Sequence, residues 1–224
     1  MFFTIIFFNK IIQLYLNLTE ILQQLITGLQ QTTLLEFIAV IAGIVSVWFS
    51  RKENILVYPI GLINTIIYIY LSVKGHLLGE ASVNLYYTIM SIYGWMLWSK
   101  KDDREHVLLV IKHSNQREWL VQLAFFAFFY IGIYFALNFL KDNFAPGAIP
   151  AADAFASATA YTGMWLMAKK KVESWYWWIA TNIASIPLYF LKGYVFTSFQ
   201  FLVLLILAVA GLVSWRQKAK YARS

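Results

Sequence analysis

The two halves of the chain repeat a pattern of rare residues. Asn64 is followed ten residues on by Lys74-Gly75, and Asn182 is followed ten residues on by Lys192-Gly193, so the two sets lie 118 residues apart. With a shift of one residue the correspondence extends to four more pairs, which are Glu36 with Asp153, Trp48 with Trp165, Gly94 with Gly211, and Trp98 with Trp215. Most of these positions fall in apolar segments long enough to cross a bilayer. A duplicated membrane unit predicts two similar halves around a central pathway, which is a transporter architecture.

The composition is that of an integral membrane protein. Of the 224 residues, 60% are apolar and 13% are charged, whereas soluble domains have roughly 25% charged residues. A soluble protein of this size could not cover such a chain with polar surface. There is no cysteine, which excludes disulfides, thiolate catalysis and thiolate metal sites. The net charge of +7 is better explained by membrane topology than by binding to nucleic acid.

Seven apolar stretches are each close to the ~20 residues that a helix needs to cross the hydrocarbon core. They cover residues 32–50, 55–73, 81–98, 119–140, 148–168, 175–191 and 195–215. The predicted fold class is therefore all-α and membrane-integral, with seven transmembrane helices.

The basic residues separate when the loops between these helices are assigned to alternating sides of the membrane. Fourteen fall on one side, and the other four are Lys10, Lys74, Lys141 and Lys192. The larger group consists of Arg51, Lys52, Lys100, Lys101, Arg104, Lys112, Arg117, Lys169, Lys170, Lys171, Arg216, Lys218, Lys220 and Arg223. The positive-inside rule then predicts a multi-pass protein of the cell (inner) membrane, with its N-terminus outside and its C-terminus in the cytoplasm.

The first 31 residues differ from the membrane segments. Polar residues recur along one side from Asn9 to Gln31, and Phe, Ile and Leu fill most of the remaining positions. This spacing predicts an amphipathic helix over residues 1–31 that lies in the outer interface. A signal peptide is disfavoured, because no basic region precedes the apolar run and no cleavage site of small residues follows it.

The repeat divides the seven helices into two units of three, within residues 32–98 and 148–215. The linker helix 119–140 has no counterpart. Because three crossings would invert the second unit, this extra crossing restores the orientation of the first. The predicted architecture is a 3+1+3 parallel duplication, with the two units related by an axis along the membrane normal. The remaining segments are a cytoplasmic loop at 99–118 and a basic cytoplasmic tail at 216–224.

Polar and large aromatic side chains share one face on three of the predicted helices. Such groups are costly in a spanning helix unless they face protein or a cavity. Gln122 of the linker helix and Gln200 of the last helix add amide groups. Aromatic faces combined with amides suit a flat, polar ring as ligand. The predicted substrate-binding residues are Asn64, Tyr68, Asn84, Tyr87, Ser91, Trp95, Trp178, Asn182, Tyr189 and Gln200.

Each of these features has a second interpretation. An Asn in a membrane helix often bonds to a neighbouring helix, and Trp or Tyr near a helix end often belongs to the interfacial belt. Glu36 and Asp153 begin equivalent helices, where an acid favours the helix dipole, so both are predicted to cap. Glu80 either caps the third helix or attracts a cation. The three histidines fall in loops on both sides of the membrane, and no catalytic motif is present, so no metal, cofactor or catalytic residue is predicted.

Several short runs carry a family resemblance. They are Tyr58-Pro59-Ile60-Gly61-Leu62-Ile63-Asn64, Gly79-Glu80-Ala81-Ser82-Val83-Asn84-Leu85-Tyr86-Tyr87, Ser91-Ile92-Tyr93-Gly94-Trp95, Trp178-x-x-x-Asn182, and Ile186-Pro187-Leu188-Tyr189 with Lys192-Gly193. Together they resemble the bacterial nicotinamide riboside transporter family, PnuC, over about residues 32–215. The resemblance implies a fold similar to that of the SWEET sugar transporters, assembled as a homotrimer. It also implies facilitated diffusion (uniport) of nicotinamide riboside for NAD synthesis, with inward flux sustained by a cytoplasmic kinase.

The implied substrate carries a pyridinium cation, an amide and a ribose. The faces of Tyr87, Trp95, Trp178 and Tyr189 would hold the cation by cation–π contact. The amides of Asn64, Asn84, Asn182 and Gln200 would bond the substrate amide and hydroxyls. Because no predicted helix has a titratable group in its middle, a uniporter is favoured over a proton-coupled pump.

Two other functions stay open at this stage. Related transporters carry thiamine or other ring-bearing vitamins, so another vitamin is an alternative ligand, and a membrane protein that transports nothing is a second alternative. A membrane enzyme that acts on lipids is disfavoured, since it would need acid, base or metal groups together at membrane depth.

Overall fold

Eight helices make up the part of the chain that the structure describes. The computed structural model describes residues 18–75, 78–101, 108–144 and 147–221. Helix α1 covers residues 18–31. It is followed by α2 (Leu34–Arg51), α3 (Val57–Lys74), α4 (Leu78–Trp98), α5 (Gln116–Phe144), α6 (Pro150–Ala168), α7 (Ser174–Leu191) and α8 (Val195–Tyr221). The predicted all-helical fold is confirmed in these ranges. Residues 1–17, on which the first half of the predicted amphipathic helix falls, lie outside them.

Among the described residues, four helices are long and apolar enough to cross a membrane. They contain the spans Leu34–Arg51, Val57–Lys74, Gln116–Phe139 and Val195–Tyr221. Helices α4, α6 and α7 coincide with the other three predicted crossings and have 21, 19 and 18 residues, but they are less apolar. The polar residues that lower their hydropathy are largely internal. Thr159 and Thr162 of α6 and Thr181 of α7, for example, are buried within the bundle.

The helices pack as two three-helix groups that contact each other through their first and third helices. Helices α2, α3 and α4 pack in sequence, and α6, α7 and α8 do the same. The first helix of each group then packs against the third helix of the other, α2 against α8 and α4 against α6. Helix α5 packs mainly against α6. This packing is the arrangement expected of two similar units that face each other.

The two ends of the bundle differ in charge. The loops and helix ends at one end carry Arg51, Lys100 and Lys169–Lys171, and we call this the basic end. The other end carries Glu36, Glu80 and Asp153, and we call it the acidic end. The main hydrophobic core lies at the basic end and consists of Val57, Tyr58, Trp98, Ile111, Met167, Val172, Trp175, Ala208, Trp215 and Ala219.

Local contacts move two of the predicted helix boundaries. Helix α5 begins at Gln116, before the predicted 119, because Asn115 and Glu118 form reciprocal bonds. The Asn115 N–H donates to the Glu118 carboxylate (2.9 Å), and the Glu118 N–H donates to Asn115 Oδ1 (2.9 Å), which is a capping box. Helix α8 continues to Tyr221, so most of the predicted tail is helical. Lys218 holds this extension, since its ammonium group donates to the Lys52 carbonyl at 3.1 Å.

Helix α1 is amphipathic over its described residues. Leu18, Leu22, Ile26 and Leu29 form an apolar stripe and are all exposed. The polar face borders a cavity of about 680 Å³, whose far side is formed by residues 193–197. An exposed apolar stripe suits a helix at a membrane surface, and its location there stays a prediction.

Candidate functional site

Aromatic rings from α4, α6 and α7 meet inside the bundle. The ring centroid of Tyr161 lies 4.2 Å from that of Tyr86 and 6.3 Å from that of Tyr87. Tyr87 in turn lies 6.2 Å from the Trp178 ring. We call Tyr86, Tyr87, Tyr161 and Trp178 the aromatic cluster. Phe129 of α5 closes one side of it, with its centroid 5.1 Å from Tyr161.

Two local features hold the aromatic cluster together. The Tyr86 hydroxyl donates to the backbone carbonyl of Tyr161 (3.0 Å), which fixes α4 to α6. Gly163 allows Trp178 to lie close to α6, because a Cβ atom at this position would be 3.3 Å from the indole ring. The cluster is therefore built on helices from both three-helix groups.

Asn182 lies one helical turn from Trp178 and is almost fully buried. The residue is 3% exposed, and its side-chain amide makes no hydrogen bond to any residue in the described ranges. The Tyr161 hydroxyl, on a residue that is 8% exposed, also has no hydrogen bond to the described residues. Nearby Thr181, by contrast, bonds to Thr159 Oγ1 at 2.9 Å. Because no described residue bonds these two groups, and neither is among the fully buried unpaired polar atoms, Asn182 and Tyr161 are available to a ligand.

Three of the predicted binding residues serve contacts between or within helices. Asn64 donates to the Ala39 carbonyl of α2 at 2.7 Å and lies against Gly43. Asn84 donates to the Glu80 carbonyl of its own helix at 2.9 Å. Ser91 is buried against α3, near Gly61. The second interpretation of polar groups in membrane helices, as helix contacts, therefore describes Asn64 in this structure.

Tyr68 and Tyr189 lie nearer the acidic end than the aromatic cluster does. Tyr189 stacks on Phe201 with centroids 5.1 Å apart, and it lies within electrostatic range of Tyr68, Glu80 and Asp153. These two tyrosines are thus positioned between the aromatic cluster and the acidic end.

The remaining predicted residues are not brought to the aromatic cluster. Trp95 is 40% exposed on the bundle surface. Gln200 is half-buried and makes no hydrogen bond within the described ranges. Gln122 is fully buried, but it bonds to Ser114 (2.8 Å) and accepts from the Trp177 indole (3.1 Å) near the basic end. Gln122 therefore anchors the loop before α5.

Both acidic residues predicted to cap, Glu36 and Asp153, lie in the first turn of their helices, and of the two only Asp153 makes a capping bond to a described residue. Asp153 accepts a bond from the Ile149 N–H at 2.5 Å, at the start of α6. It also forms an ion pair with Lys192 at 2.7 Å, which sequence reasoning missed. At the start of α2, Thr33 accepts from the backbone N–H of Glu36 (3.2 Å), which places Glu36 in the first turn.

Sequence reasoning also missed Tyr86 and Tyr161. Tyr161 belongs to a run of Ala, Thr and Gly with no polar stripe, so nothing in α6 pointed to a binding face. The available signal was the small size of these neighbours, since small residues let helices approach closely. Within the described ranges, no group of three or more His, Asp or Glu side chains is placed to hold a metal ion.

A family model described as "Nicotinamide mononucleotide transporter" matches residues 33–217. The chain belongs to this family. The match covers α2 to α8 almost completely and leaves α1 outside. The protein is therefore a multi-pass membrane transporter of the nicotinamide mononucleotide transporter family, and it is not an enzyme. The resemblance found in the sequence is confirmed.

Curated relatives of the chain are transporters. It is similar to the nicotinamide riboside transporter PnuC of Escherichia coli (strain K12), with 23% identity over 206 residues, which cover 83% of this chain and 86% of the relative. It is similar to PnuC of Neisseria mucosa, with 27% identity over 82% of this chain and 72% of the relative. A riboflavin/roseoflavin transporter, RibM of Streptomyces davaonensis, is 22% identical over 78% of this chain and 81% of the relative.

A solved structure shares the fold of this family member. The crystal structure of the vitamin B3 transporter PnuC superimposes with a TM-score of 0.66 and 24% identity, covering 91% of this chain and 90% of that chain. This similarity establishes a PnuC-like fold.

Proposed function

We propose that this protein carries nicotinamide riboside into the cytoplasm by facilitated diffusion. Two of the relatives described above are named nicotinamide riboside transporters. The observation that carries the proposal is the amide of Asn182, on a largely buried residue one helical turn from Trp178, which has no hydrogen-bond partner among the described residues. An unpaired amide beside several π faces suits a flat cationic ring that bears its own amide.

The chemistry of the aromatic cluster fits each part of this substrate. The faces of Tyr87, Tyr161 and Trp178 would contact the pyridinium ring, and a desolvated cation–π contact contributes about 2 kcal/mol. Asn182 would pair with the substrate amide, and the Tyr161 hydroxyl would bond a ribose hydroxyl. Tyr68 and Tyr189 would contact the substrate on its way from the acidic end.

A uniport mechanism is supported by where the acids lie. The aromatic cluster itself contains no carboxylate. The acids near Tyr189, which are Glu80 and Asp153, lie towards the acidic end, and Asp153 is paired with Lys192. A proton-coupled carrier needs a group on the pathway that changes its charge. Net inward flux would then require a cytoplasmic kinase, which converts the transported nucleoside into a charged phosphate ester.

The proposed topology has seven crossings in a 3+1+3 parallel arrangement, with the basic end in the cytoplasm. The predicted charge distribution of fourteen basic residues against four supports this orientation, and the contacts of α2 with α8 and α4 with α6 support two facing units. Protease protection of tags placed at each terminus tests the orientation. Cleavage of the N-terminal tag from outside intact cells, with the C-terminal tag protected, is the expected result.

A homotrimer is part of the proposal, because the family resemblance implies it. Helix α5 presents exposed Phe128, Phe135 and Phe139, which are available to lipid or to another copy of the chain. Light scattering on the protein in detergent measures the mass. A protein mass of one chain would contradict the trimer and leave the transport proposal intact.

Binding to the purified protein tests the proposed function. We expect saturable binding of nicotinamide riboside, and weaker or no binding of its phosphorylated form, thiamine and riboflavin. Asn182→Ala should weaken binding roughly tenfold, since a hydrogen bond to a buried group contributes about 1–1.5 kcal/mol. Trp178→Ala should weaken it at least as much. Preferential binding of riboflavin would instead favour the function named for the Streptomyces davaonensis relative.

Two surface variants serve as controls for this titration. Asn138→Ala removes an exposed amide that bonds within α5, to the Tyr134 carbonyl. Trp48→Ala removes an indole that is 38% exposed. Both should bind like the unmodified protein. If the Asn182 and Trp178 variants also bind normally, the site assignment is wrong.

A further inference from the structure

The two three-helix groups are joined at the basic end by a reciprocal pair of tryptophan bonds. The Trp98 indole, at the end of α4, donates to the Ala168 carbonyl at the end of α6 (3.1 Å). The Trp215 indole, in α8, donates to the Ser50 carbonyl at the end of α2 (3.0 Å). Both bonds connect one group to the other. The centroids of the two tryptophan rings lie 6.1 Å apart, so the two bonds are made by side chains that neighbour each other.

A second ring from each group supports these tryptophans. Tyr58 meets the Trp98 ring edge-to-face, with centroids 5.1 Å apart and an interplanar angle of 86°. Trp175 meets the Trp215 ring in the same way, at 5.5 Å and 90°. We call Tyr58, Trp98, Trp175 and Trp215 the tryptophan closure. All four side chains are buried, so the basic end is sealed where the two groups meet.

Ion pairs join the groups beside the tryptophan closure. Lys170 reaches across to Glu53 at 2.8 Å, and Lys218 reaches the other oxygen of the same carboxylate at 2.9 Å. The Lys170 ammonium also lies 4.6 Å from the centroid of the Trp98 ring. Trp98 of the tryptophan closure is therefore in contact with one of the ion pairs at the surface of the basic end.

We infer that the tryptophan closure is the gate of the pathway at the basic end, and that substrate passes only when both indole bonds break together. This inference rests on the proposed transport function. The closure lies in series with the candidate site, because Trp178 of the aromatic cluster packs against the same hydrophobic core. A substrate ring on Trp178 would thus lie beside the core that contains the gate.

The closed arrangement leaves two polar atoms unsatisfied. Among the described residues, the Tyr58 hydroxyl and the Trp175 indole N–H are buried without a hydrogen-bond partner. Leaving a buried donor unpaired destabilises the state that contains it. Both atoms would be hydrated when the groups separate, so an open state recovers this cost. A gate needs a closed and an open state of comparable free energy. The two unpaired atoms destabilise the closed state and so reduce the free-energy difference between the two states.

Because the sequence contains no cysteine, a single engineered thiol can report access to the pathway. Ser185 is buried on the same helix face as Asn182, so a thiol at this position would report access to the candidate site. The variant used is Ser185→Cys. This variant is reconstituted in liposomes, and a membrane-impermeant maleimide is added to the side that exposes the C-terminus. The labelling rate is then compared with that of the same protein carrying both Trp98→Phe and Trp215→Phe, which keep a smaller aromatic ring at each position and remove the N–H donors. Trp48→Phe, at an exposed position, is the matched control.

We expect slow labelling of Ser185→Cys alone and in the Trp48→Phe background. The double Phe variant should label on the order of tenfold faster, since two hydrogen bonds that hold the closed state are gone. Equal rates in a double variant that keeps its thermal stability would overturn the inference, as would equal acceleration from the opposite side. If the double variant fails to fold, each single variant is measured with the same criteria. The readout needs no substrate, so a failure to bind nicotinamide riboside affects only the proposed function.

Discussion

Glu53 and Lys170 occupy equivalent turns of the two three-helix groups and are bonded to each other. Glu53 follows α2 and has a backbone φ of 62°, and Lys170 follows α6 and has a φ of 51°. Their side chains form an ion pair with an N–O distance of 2.8 Å. The left-handed conformation is costly for residues with a side chain. In both turns the residue with the unfavourable backbone conformation carries the charged side chain that forms the ion pair between the two groups.

The first prediction is that Glu53→Gln destabilises the protein. The Lys170 side chain is almost fully buried, and removal of one partner leaves a poorly compensated charge. Breaking a buried pair typically costs about 3–5 kcal/mol, and because Glu53 is partly exposed we expect about 1–3 kcal/mol. Thermal unfolding in detergent measures the change. Glu20→Gln, an exposed glutamate of α1, should leave the unfolding temperature unchanged.

A double variant separates the charge effect from the loss of shape. Glu53→Gln combined with Lys170→Met removes both charges, so its loss of stability should be smaller than the sum of the two single losses. Additive losses would show that the ion pair contributes nothing.

The second prediction concerns two equivalent glycines beside the tryptophan closure. A Cβ atom at Gly94 would lie 2.5 Å from the Tyr58 ring, and one at Gly211 would lie 2.5 Å from the Trp175 ring. Because both rings are buried and cannot move freely, Gly94→Ala and Gly211→Ala should each cost about 1–3 kcal/mol of unfolding free energy. At Gly132 in α5, no side chain or neighbouring helix of the described residues lies within 4 Å of an added Cβ atom, so Gly132→Ala should be neutral or slightly stabilising. Equal effects of all three substitutions would contradict the packing described here.

The repeat predicted much of the fold, and a difference of one residue explains where it misled. Val57 begins α3 and Ser174 begins α7, 117 residues later. In this register the packing equivalent of Asn64 is Thr181, whereas the sequence pattern paired Asn64 with Asn182. A shift of one residue turns a side chain by about 100° around a helix. Asn64 and Thr181 both bond to the first helix of their own group, and Asn182 faces a different neighbour.

The candidate site was predictable where polar residues stood out against an apolar helix, as for Trp178 and Asn182. It was not predictable where the contribution came from packing. Tyr161 lies among small residues, and its role depends on how closely α4 and α7 approach α6. Trp95 lies on the same helix as Tyr87, but it faces outwards. Residue spacing predicts which side chains share one side of a helix, but it does not show whether that side is buried or exposed.

The third prediction concerns the buried carboxylate of Glu173. It accepts bonds from the Ser114 N–H (2.9 Å) and the Ser114 hydroxyl (2.8 Å), and it lies 2.9 Å from His113 Nδ1. Glu173→Gln replaces one of the two accepting carboxylate oxygens with an NH2 group, which is a donor, and removes the negative charge. We therefore expect a loss of about 2–3 kcal/mol in unfolding free energy. Proteolysis of the loop between α4 and α5 should also become faster. His113→Ala removes one contact and should have a smaller effect. Unchanged stability in Glu173→Gln would show that the loop is held by other contacts.

The last prediction separates the two asparagines that the repeat paired. Asn64→Ala removes the 2.7 Å bond to the Ala39 carbonyl, so it should lower the unfolding free energy by about 1 kcal/mol and leave the dissociation constant for nicotinamide riboside nearly unchanged. Asn182→Ala removes an amide with no partner in the described structure, so it should weaken binding roughly tenfold and leave the stability of the substrate-free protein unchanged or higher. Thermal unfolding without substrate and calorimetric titration with it measure the two quantities on the same preparations. If both variants lose affinity equally, Asn64 also contacts the substrate and the binding site extends to α3. If Asn182→Ala instead loses stability alone, its amide serves the fold and the ligand must be held elsewhere.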